Sequence, residues 1–336
     1  MTKDSRTAVV LLNLGGPDSL HSVEPFLFNL FRDPDIINFP LSFLFRTRLA
    51  KIISKKRAPK IQQQYKALGG KSPILETTLM QAEFLEERLN KNLSAKVFVA
   101  MRYWKPFTSD ALDAIEGYKP SKIILLPLYP HYSIATTGSG VNEWNRQIKT
   151  REGLKNIPVE LIKEYYTHPM YIQSFIERIN EGLGKFPENV RNSVTILFSA
   201  HGTPVKLVKQ GDPYSFQIRE TVDEIIKAWS FKQPYSLCFQ SKVGPQKWLT
   251  PSTPDVITEN AAIGVKYILM VPVAFTSDHL ETLYEVNIEY RHLAMEKGIE
   301  QYEMTRGLND SPAFISALEQ LVLERLSITE KETVQL

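Results

Sequence analysis

The stretch ILMVPVAFTSDH, Ile268–His279, is a short apolar run that passes through a proline and ends in a polar turn. Runs of this kind, rich in Val, Ile and Leu and bounded by turn residues, are typical of buried parallel strands. A similar stretch, IILLPLYPHYS, lies at Ile123–Ser133, with Pro127 in the position of Pro272. The likeness indicates that the chain contains one structural plan twice.

Eight apolar runs of this kind follow one another along the chain, and each leads into a turn and a helical pattern. They fall into two sets of four: VVLLNLGGP, VFVAMRYWKP, IILLPLYPHYS and VELIKEYYTHP, then ILFSAHGTP, LCFQSKVGP, ILMVPVAFTSDH and YEMTRGLNDSP. We therefore predict an α/β fold with two similar Rossmann-like lobes, each a four-stranded parallel sheet flanked by helices. The predicted boundaries are residues 1–165 for the first lobe, with an insertion at about 20–65, residues 166–320 for the second lobe, and residues 321–336 for a C-terminal tail.

The composition is that of a globular protein, with 336 residues, 43% of them hydrophobic, and a formal net charge of +3. So small a charge gives no reason to expect nucleic acid as a partner. The single cysteine, Cys238, can form neither an intramolecular disulfide nor a thiolate cluster, which fits a reducing cytoplasm. The apolar start of the chain is broken at Asn13, so we expect no signal peptide, and no apolar run approaches the ~18 residues of a membrane-spanning helix.

A histidine ends one of the predicted strands. In ILFSAHGTP, Ile196–Pro204, the apolar run leads into His201 and then into a Gly-Thr-Pro turn. Ligands of open α/β sheets bind beyond the carboxyl ends of the strands, so this position favours a functional imidazole, which accepts protons near pH 7. A hydrogen-bonded structural histidine in a turn is the alternative, and the sequence leaves both open.

An acidic stretch follows another strand of the same half. FTSDHLETLYEVNIEY, Phe275–Tyr290, carries carboxylates at Asp278, Glu281, Glu285 and Glu289. In an α-helix, at about 100° per residue, these four fall on one face. A capping box explains Asp278 and Glu281, but like charges four residues apart oppose helix formation. The face is therefore either solvated or used to handle cations.

The acidic stretch also contains a histidine, His279. Oxygen ligands with an imidazole nearby suit a divalent cation that passes along the helix better than one held in a closed tetrahedral site. Because His201 and this stretch both follow strands of the second half, we expect them to lie close together. Together they predict chemistry in which a metal ion enters while protons leave.

Over nearly its whole length the chain resembles the ferrochelatases, enzymes that insert ferrous iron into a porphyrin at the end of haem synthesis. The resemblance rests on seven stretches that occur in the family's order: LLNLGGPDS, QQQYKALGGKSPI, MRYWKP, LYPHYSIATTGS, FSAHGTP, FQSKVGPQKWLTPST and VAFTSDHLETLYEVNIEY. It implies a chelatase-like fold, with ferrous iron and protoporphyrin IX as substrates and protohaem as product after loss of two pyrrole protons. A coproporphyrin III ferrochelatase is the nearest alternative, and the Tyr65–Ile74 stretch and the apolar insertion favour protoporphyrin.

The resemblance also implies roles for individual residues. His201 matches the family's active-site histidine and Glu281 its partner carboxylate, on opposite sides of the metal centre of the bound ring. The residues implied in metal handling are these two together with Asp278, His279, Glu285 and Glu289. The implied porphyrin-binding residues are Leu14, Arg57, Tyr65, Ser72, Arg102, Tyr103 and Trp248.

Two departures from the family bear on this interpretation. Leu14 stands where many members have methionine, which alters the shape of a pocket without removing a catalytic group. Members with a two-iron cluster use several cysteines, partly in a carboxyl-terminal extension, whereas this chain ends in LSITEKETVQL. We therefore expect no iron–sulfur cluster and no other permanently bound cofactor, with iron as a substrate only.

The predicted insertion contains the stretch PFLFNLFRDPDIINFPLSFLFRTRLAKIISKKRAPK, Pro25–Lys60, in which apolar and aromatic residues run into a basic end. The basic residues are Arg46, Arg48, Lys51, Lys55, Lys56, Arg57 and Lys60. Apolar surface beside basic charge suits a bilayer interface with anionic lipid, although two helices packed on the core with a solvated basic end have the same composition. The resemblance favours the membrane, and implies a cytoplasmic protein that is peripherally associated with the inner face of the membrane.

Two other classes of function are open to test. A tetrapyrrole carrier without chemistry would need the pocket residues but not His201 and Glu281, and both are present. A dinucleotide enzyme is disfavoured because LNLGGPDS lacks the G-x-G-x-x-G spacing. The expected partners are a porphyrin and ferrous iron, and the chain is predicted to be a monomer or a homodimer.

Overall fold

A computed structural model describes residues 6–36, 42–230, 232–241 and 246–334. The chain divides into two compact units. The first contains the described residues up to Tyr129, then Ser133–Glu164 and the chain from Ile315 onward, and the second contains Pro130–Tyr132 and Tyr165–Phe314. Each unit is built around one parallel sheet.

The sheet of the first unit has four parallel strands in the order β2-β1-β3-β4. Their bounds are β1 Arg6–Asn13, β2 Ser94–Met101, β3 Lys122–Pro127 and β4 Val159–Leu161. Val10 in the central strand pairs with Phe98 on one side and Leu125 on the other, and all three are buried. A strand covered on both faces reads as a continuous apolar run, which is the pattern seen in the sequence.

The sheet of the second unit repeats this order as β6-β5-β7-β8, again with all strands parallel. The strands are β5 Thr195–His201, β6 Tyr235–Gln240, β7 Tyr267–Pro272 and β8 Gln301–Met304. Leu197 in the central strand pairs with Ser236 and Met270. The two central strands, β5 and β7, therefore end at the same edge of the sheet.

Helices cover both sheets. Those of the first unit are α1 Val23–Arg32, α2 Ser42–Ala67, α3 Ile74–Leu89, α4 Thr108–Tyr118 and α5 Ser139–Ile148, with a π-helix at Ile134–Gly138 and a 3-10 turn at Leu20–Ser22. Those of the second are α6 Pro169–Leu183, α7 Val205–Lys209, α8 Tyr214–Ala228, α9 Thr253–Ala262 and α10 Tyr290–Glu296, with a π-helix at Glu281–Glu289 and a 3-10 turn at Glu188–Ser193. A last helix, α11, spans Pro312–Val334.

The predicted fold class is confirmed. All eight predicted strands are present, in two four-stranded parallel sheets of the same strand order. In each unit a π-helix follows the third strand of the set, at Ile134–Gly138 and at Glu281–Glu289. Pro169 and Pro312, which follow the fourth strands, each open a helix, because proline at the first helical position lacks only an N–H that would be unpaired there.

The end of the chain differs from the predicted boundaries. The second unit ends at Phe314, and the residues from Ile315 onward belong to the first unit rather than to a second lobe up to 320 and a tail. The reason is the packing of α11. Leu318 and Val322 are fully buried, and Arg325 forms an ion pair of 2.9 Å with Glu160, which lies in β4. An amphipathic helix must bury its apolar face, and the first unit offers the surface.

The predicted insertion, at about residues 20–65, corresponds to α1 and α2, which lie between β1 and β2 and precede α3. Residues 37–41 of it lie outside the described residues. Along the described parts of the chain, every helix is too short or too polar to cross a bilayer.

Candidate active site

His201 is the last residue of β5, where the chain leaves the sheet. The next residue, Gly202, donates its N–H to the carbonyl of Gln240 at 2.8 Å. A Cβ at Gly202 would lie 2.7 Å from that carbonyl oxygen, so only glycine allows this approach. The turn therefore holds the His201 backbone firmly at the carboxyl edge of the sheet.

Glu281 opens the π-helix that follows β7. Its Oε2 lies 3.1 Å from Nδ1 of His201, so the two predicted residues form a direct hydrogen-bonded pair and do not face each other across a ring, as the resemblance implied. The side chains are not sealed in the core, because 36% of the His201 and 33% of the Glu281 side-chain surface is exposed. A dissolved reactant can reach both groups.

The pair determines its own charge state. Burial disfavours the charged imidazole, but the charge of Glu281, its hydrogen bond and the charge of Glu285 outweigh burial and raise the pKa of His201 above its ordinary value. Burial likewise opposes ionisation of Glu281, and His201 followed by His279 overcome it, so the pKa of Glu281 is well below its usual range. Glu281 is therefore an anion that favours a proton on its histidine neighbour.

The pairing also selects the tautomer of His201. When Nδ1 carries the proton and donates it to Glu281, the lone pair is on Nε2. Within the described part of the chain, Nε2 has no hydrogen-bond partner. The pair can therefore accept a proton, or bind a divalent cation, through Nε2.

His279 supports the other side of Glu281. Its Nε2 lies 3.5 Å from Glu281 Oε2, and it is 8% exposed. The ring of Phe275 packs against both histidines, with centroids 4.7 Å from His279 and 6.5 Å from His201. Nδ1 of His279 is buried and has no hydrogen-bond partner among the described residues.

The acidic stretch is not the regular α-helix that the sequence predicts. Glu281–Glu289 form a π-helix, in which Tyr290 N–H bonds to Glu285 O, five residues back. Glu281 contacts His201, whereas Glu289 is exposed.

Glu285 turns toward β6 instead. Its carboxylate accepts hydrogen bonds from Ser241 N at 2.9 Å, from Ser241 Oγ at 2.6 Å and from Tyr290 Oη at 2.6 Å. Ser241 follows β6 with a left-handed φ of 65°, a backbone conformation that residues other than glycine rarely adopt. The three bonds hold Glu285 in place and keep its charge near His201.

Asp278 is also enclosed by hydrogen-bond donors. Its carboxylate accepts bonds from Gly307 N, Asn309 Nδ2 and Thr282 Oγ1. Its assignment to metal handling, like that of Glu285 and Glu289, stays a prediction.

Trp248 lies beside the histidine turn. It forms an antiparallel bridge with Pro204, and its ring would be 3.5 Å from a Cβ at Gly202. Tyr214 supports the same turn from α8 by donating its hydroxyl to the carbonyl of His201 at 3.0 Å. Trp248 is thus one predicted porphyrin-binding residue that the structure brings near His201.

A charged cluster occupies the corresponding edge of the first unit. Arg102 follows β2 and forms an ion pair of 2.9 Å with Asp33, whose side chain is fully buried. Asp33 also accepts hydrogen bonds from Tyr103 Oη at 2.6 Å and from Ser139 Oγ. Arg102 donates its Nε to Ser139 at 2.8 Å and lies 3.8 Å from Glu143. The Arg102 charge is therefore balanced inside the cluster.

Tyr103 belongs to this cluster as a buried residue with 1% of its surface exposed. Burial, followed by the charge of Asp33, raises the pKa of its phenol well above the ordinary value. Arg102 and Tyr103 nevertheless line a small cavity with Asn13, Thr136 and Thr137. This cavity lies at the carboxyl edge of the first sheet.

The other predicted porphyrin-binding residues of the first unit lie at separate places. Leu14 follows β1 and accepts the Tyr103 N–H at 3.0 Å. Ser72, buried, donates its N–H to Pro17 O at 2.8 Å. Tyr65 is buried on α2, and Arg57 stacks on the ring of Phe31 at 5.5 Å.

Sequence reasoning missed the residues that hold the predicted ones. Asp33, Ser139, Ser241, Tyr214 and Asn309 each contact a predicted site residue. The Asp-Pro turn at Asp33 and the Asn-Asp turn at Asn309 are visible as turn signals, but a single sequence does not show which helix or strand they face.

Comparison with known proteins gives a consistent result. A family model described as Ferrochelatase matches residues 6–326. A ferrochelatase of Geotalea uraniireducens is 47% identical over 322 residues, covering 96% of this chain and 98% of that one. A ferrochelatase of Aquifex aeolicus is 47% identical over 94% of this chain and 98% of its own, and ferrochelatase-1 of Arabidopsis thaliana is 43% identical over 97% of this chain and 71% of its own.

Among solved structures, SirB from Bacillus subtilis with Fe3+ is similar, with a TM-score of 0.57 at 13% identity, covering 97% of this chain and 98% of that one. DR2241 from Deinococcus radiodurans, a multi-domain protein with structural similarity to chelatases, gives a TM-score of 0.53 at 11% identity over 94% of this chain and 55% of its own. At these identities the likeness shows the fold alone.

Proposed function

The chain belongs to the ferrochelatase family, and from that premise we propose that it is a metal chelatase of the lyase class whose substrates are ferrous iron and protoporphyrin IX. The product is protohaem, and two pyrrole protons are released. The observation that carries the proposal is the partly exposed pair of His201 and Glu281, joined at 3.1 Å at the carboxyl edge of the second sheet.

The reaction needs a base. A free porphyrin holds two pyrrole N–H protons in a nearly flat ring, and Fe2+ bonds to all four nitrogens only after both protons have left. His201 is the base, because Nε2 has a lone pair when Nδ1 donates to Glu281. The anionic Glu281 stabilises the imidazolium that forms, and so strengthens the base.

His201 and Glu281 also offer a nitrogen and a carboxylate oxygen to Fe2+ before insertion, and His279 adds a second imidazole 3.5 Å from Glu281. Proton acceptance and metal delivery compete for His201 Nε2, so the two steps follow each other. Trp248, one of the predicted porphyrin-binding residues, lies next to the histidine turn.

Peripheral contact with the inner face of the cytoplasmic membrane is the second part of the proposal. On α2, the large apolar side chains of Phe45 and Ile52 are 54% and 64% exposed. At 100° per residue they share one face, flanked by the exposed cations Arg48, Lys55 and Lys60. An apolar strip with basic flanks favours the surface of an anionic bilayer, and a porphyrin is itself poorly soluble in water.

Anaerobic mixing of the purified protein with Fe2+ and either protoporphyrin IX or coproporphyrin III, followed by absorbance, tests the chemistry and the substrate together. The proposal expects haem formation with a higher kcat/KM for protoporphyrin IX. A higher kcat/KM for coproporphyrin III would overturn the substrate assignment. Haem from neither porphyrin would overturn the chemistry.

A further inference from the structure

A loop that follows the last strand of the second sheet is hydrogen-bonded to the segment just before the π-helix. The loop, Arg306–Asp310, follows β8 and meets Asp278, three residues before Glu281. Asn309 contacts Asp278 twice: its Oδ1 accepts the Asp278 N–H at 2.9 Å, and its Nδ2 donates to Asp278 Oδ2 at 2.7 Å. One amide side chain thus fixes both the backbone and the carboxylate of Asp278.

Two further hydrogen bonds join the loop to the same segment. Gly307 N–H donates to Asp278 Oδ2 at 3.1 Å, and a Cβ at Gly307 would lie 2.9 Å from Asp278 N. Asn309 N–H donates to Thr276 O at 3.0 Å. Asn309 has a φ of 37°, in the left-handed region that asparagine tolerates better than most residues. The loop is therefore shaped to approach the segment 276–278 closely.

The loop is itself anchored by a buried cation. Arg178 of α6, 5% exposed, donates Nε to Gly307 O at 3.1 Å and Nη2 to Leu308 O at 3.0 Å. It also pairs with Asp310 at 3.0 Å. Hydrogen bonds from a charged donor are stronger than neutral ones, so the loop has little freedom to move.

Asp278 is also hydrogen-bonded, through Thr282, to the segment whose side chains face His201. Its Oδ1 accepts from Thr282 Oγ1 at 3.1 Å, and the same oxygen of Thr282 accepts the His279 N–H at 3.0 Å. Thr282 is fully buried. These bonds fix the backbone from which His279 and Glu281 project.

We propose that Asn309 is a positioning residue for the reaction, and that Asp278 acts through its hydrogen bonds rather than through its charge. Asn309 touches neither His201 nor Glu281; it sets the entrance of the π-helix and so the separation of the pair. The inference rests on the proposed chelatase function, in which Glu281 must stay at its 3.1 Å contact with His201.

Four variants separate hydrogen bonding from charge. Asn309→Gly keeps the left-handed backbone and removes only the amide. Asp278→Ala removes all three accepted bonds. Asp278→Asn removes the charge but keeps the geometry. The amide oxygen accepts the bonds from Gly307 and Asn309, and the amide NH2 donates to Thr282 Oγ1. The Thr282 hydroxyl then donates to His279 O, 3.2 Å away. The double variant Asp278→Ala with Asn309→Gly tests whether the two act as one.

The measurement is kcat and KM for iron and porphyrin, with thermal unfolding as a second readout. We expect Asn309→Gly and Asp278→Ala to lower kcat by about ten- to a hundredfold, since a displacement of about 1 Å can cost 10²-fold, with porphyrin KM within about twofold. Asp278→Asn should lower kcat less than Asp278→Ala does, because it keeps the hydrogen bonds. The double variant should lose less than the sum of the two single losses, expressed as free energies.

The matched control is Asn260→Ala on α9, which removes one asparagine hydrogen bond, to Val256 O at 2.8 Å, away from the π-helix. It should lower the melting temperature like the loop variants yet leave kcat within about twofold. If Asp278→Asn falls as far as Asp278→Ala, the charge is what matters and the inference is overturned. Additive losses in the double variant would overturn the coupling, and a lack of haem from the unmutated protein would instead refute the proposed function.

Discussion

His201 and Glu281 are 80 positions apart in the chain and 3.1 Å apart in the structure. The contact follows from the strand order, because β5 and β7 are neighbours and both end at the same edge, with Ser199 paired to Pro272. The chain then takes only a short path from each strand end to the functional group. A parallel sheet therefore brings an imidazole and a carboxylate together without either lying in the core.

The first prediction concerns the titration of His201. Glu281 raises the pKa of this histidine against the effect of burial, so Glu281→Gln should lower that pKa and leave the ring neutral at a lower pH. NMR titration of the His201 ring signals in the free protein measures this directly. In the unmutated protein the midpoint should lie above the ordinary value of 6.5.

Glu296→Gln is the control for the titration, because Glu296 is exposed on α10 and takes no part in the pair. It should leave the His201 midpoint unchanged. A midpoint that stays the same or rises in Glu281→Gln would mean that Glu281 does not raise the pKa of His201, and the account of the pair's charge state would be wrong.

The second prediction concerns turnover. His201→Ala removes the proposed base, and general base catalysis typically contributes 10²–10⁴-fold, so kcat should fall by at least about 10². Porphyrin binding, followed by fluorescence quenching, should change little because the predicted porphyrin-binding residues remain. His292→Ala, at an exposed histidine of α10, is the matched control and should retain turnover. Retained turnover in His201→Ala would remove its assigned role.

The eight strands and the proximity of His201 to the acidic stretch follow from the sequence, because buried parallel strands leave long apolar runs whose ends are easy to place. The histidine at position 131 shows the limit of this reasoning. His131 also follows an apolar strand and a proline, yet it is 2% exposed and bonds to Thr221 at 2.8 Å. Burial lowers its pKa to about 3, so it stays neutral. Only tertiary packing separates the two histidines.

The sequence pattern likewise did not predict the π-helix. A π-helix and an α-helix of the same composition differ in whether each N–H bonds five or four residues back, and apolar periodicity over nine residues does not resolve that difference. The choice is made by contacts far along the chain, such as Ser241 with Glu285. Arg102 is similar, since its partner Asp33 comes from the segment after α1.

A third prediction tests that buried pair. Asp33→Ala removes a fully buried carboxylate and leaves Arg102, whose side chain is 19% exposed, without its closest counter-charge. Breaking a buried pair costs about 3–5 kcal/mol, so the free energy of unfolding in urea should fall by that amount. Glu152→Ala breaks the exposed pair with Lys155 and should cost under about 1 kcal/mol. Equal losses would show that the cluster is no more than surface charge.

A fourth prediction concerns Glu285. Tyr290→Phe deletes the hydroxyl that donates to Glu285 at 2.6 Å in a residue only 7% exposed. A hydrogen bond to a charged group contributes about 1.5–3 kcal/mol, so stability in urea should fall within that range. Tyr267→Phe is the control, because its hydroxyl reaches Glu300 at 3.3 Å on an exposed surface. A cost for Tyr290→Phe no greater than for the control would mean that Glu285 is held by Ser241 alone.

The last prediction tests the proposed membrane surface of α2. Exchanging Phe45 and Ile52 for serine removes the two exposed apolar side chains but keeps the basic flanks. Each large apolar side chain contributes about 1.5–3 kcal/mol when fully buried, so partial insertion of two should be worth about 2 kcal/mol, or roughly thirtyfold in affinity for anionic lipid vesicles by sedimentation.

Leu79→Ser separates this specific surface from general stickiness, because Leu79 is 50% exposed on α3, outside the strip. It should bind vesicles as the unmutated protein does. Neutral vesicles should bind weakly in every case, since the Arg48, Lys55 and Lys60 flanks act only on anionic lipid, and raising the salt concentration should weaken binding to anionic vesicles. If the double serine variant binds anionic vesicles as tightly as the unmutated protein, α2 is an ordinary solvated helix with a basic end, and the apolar strip has no part in membrane contact.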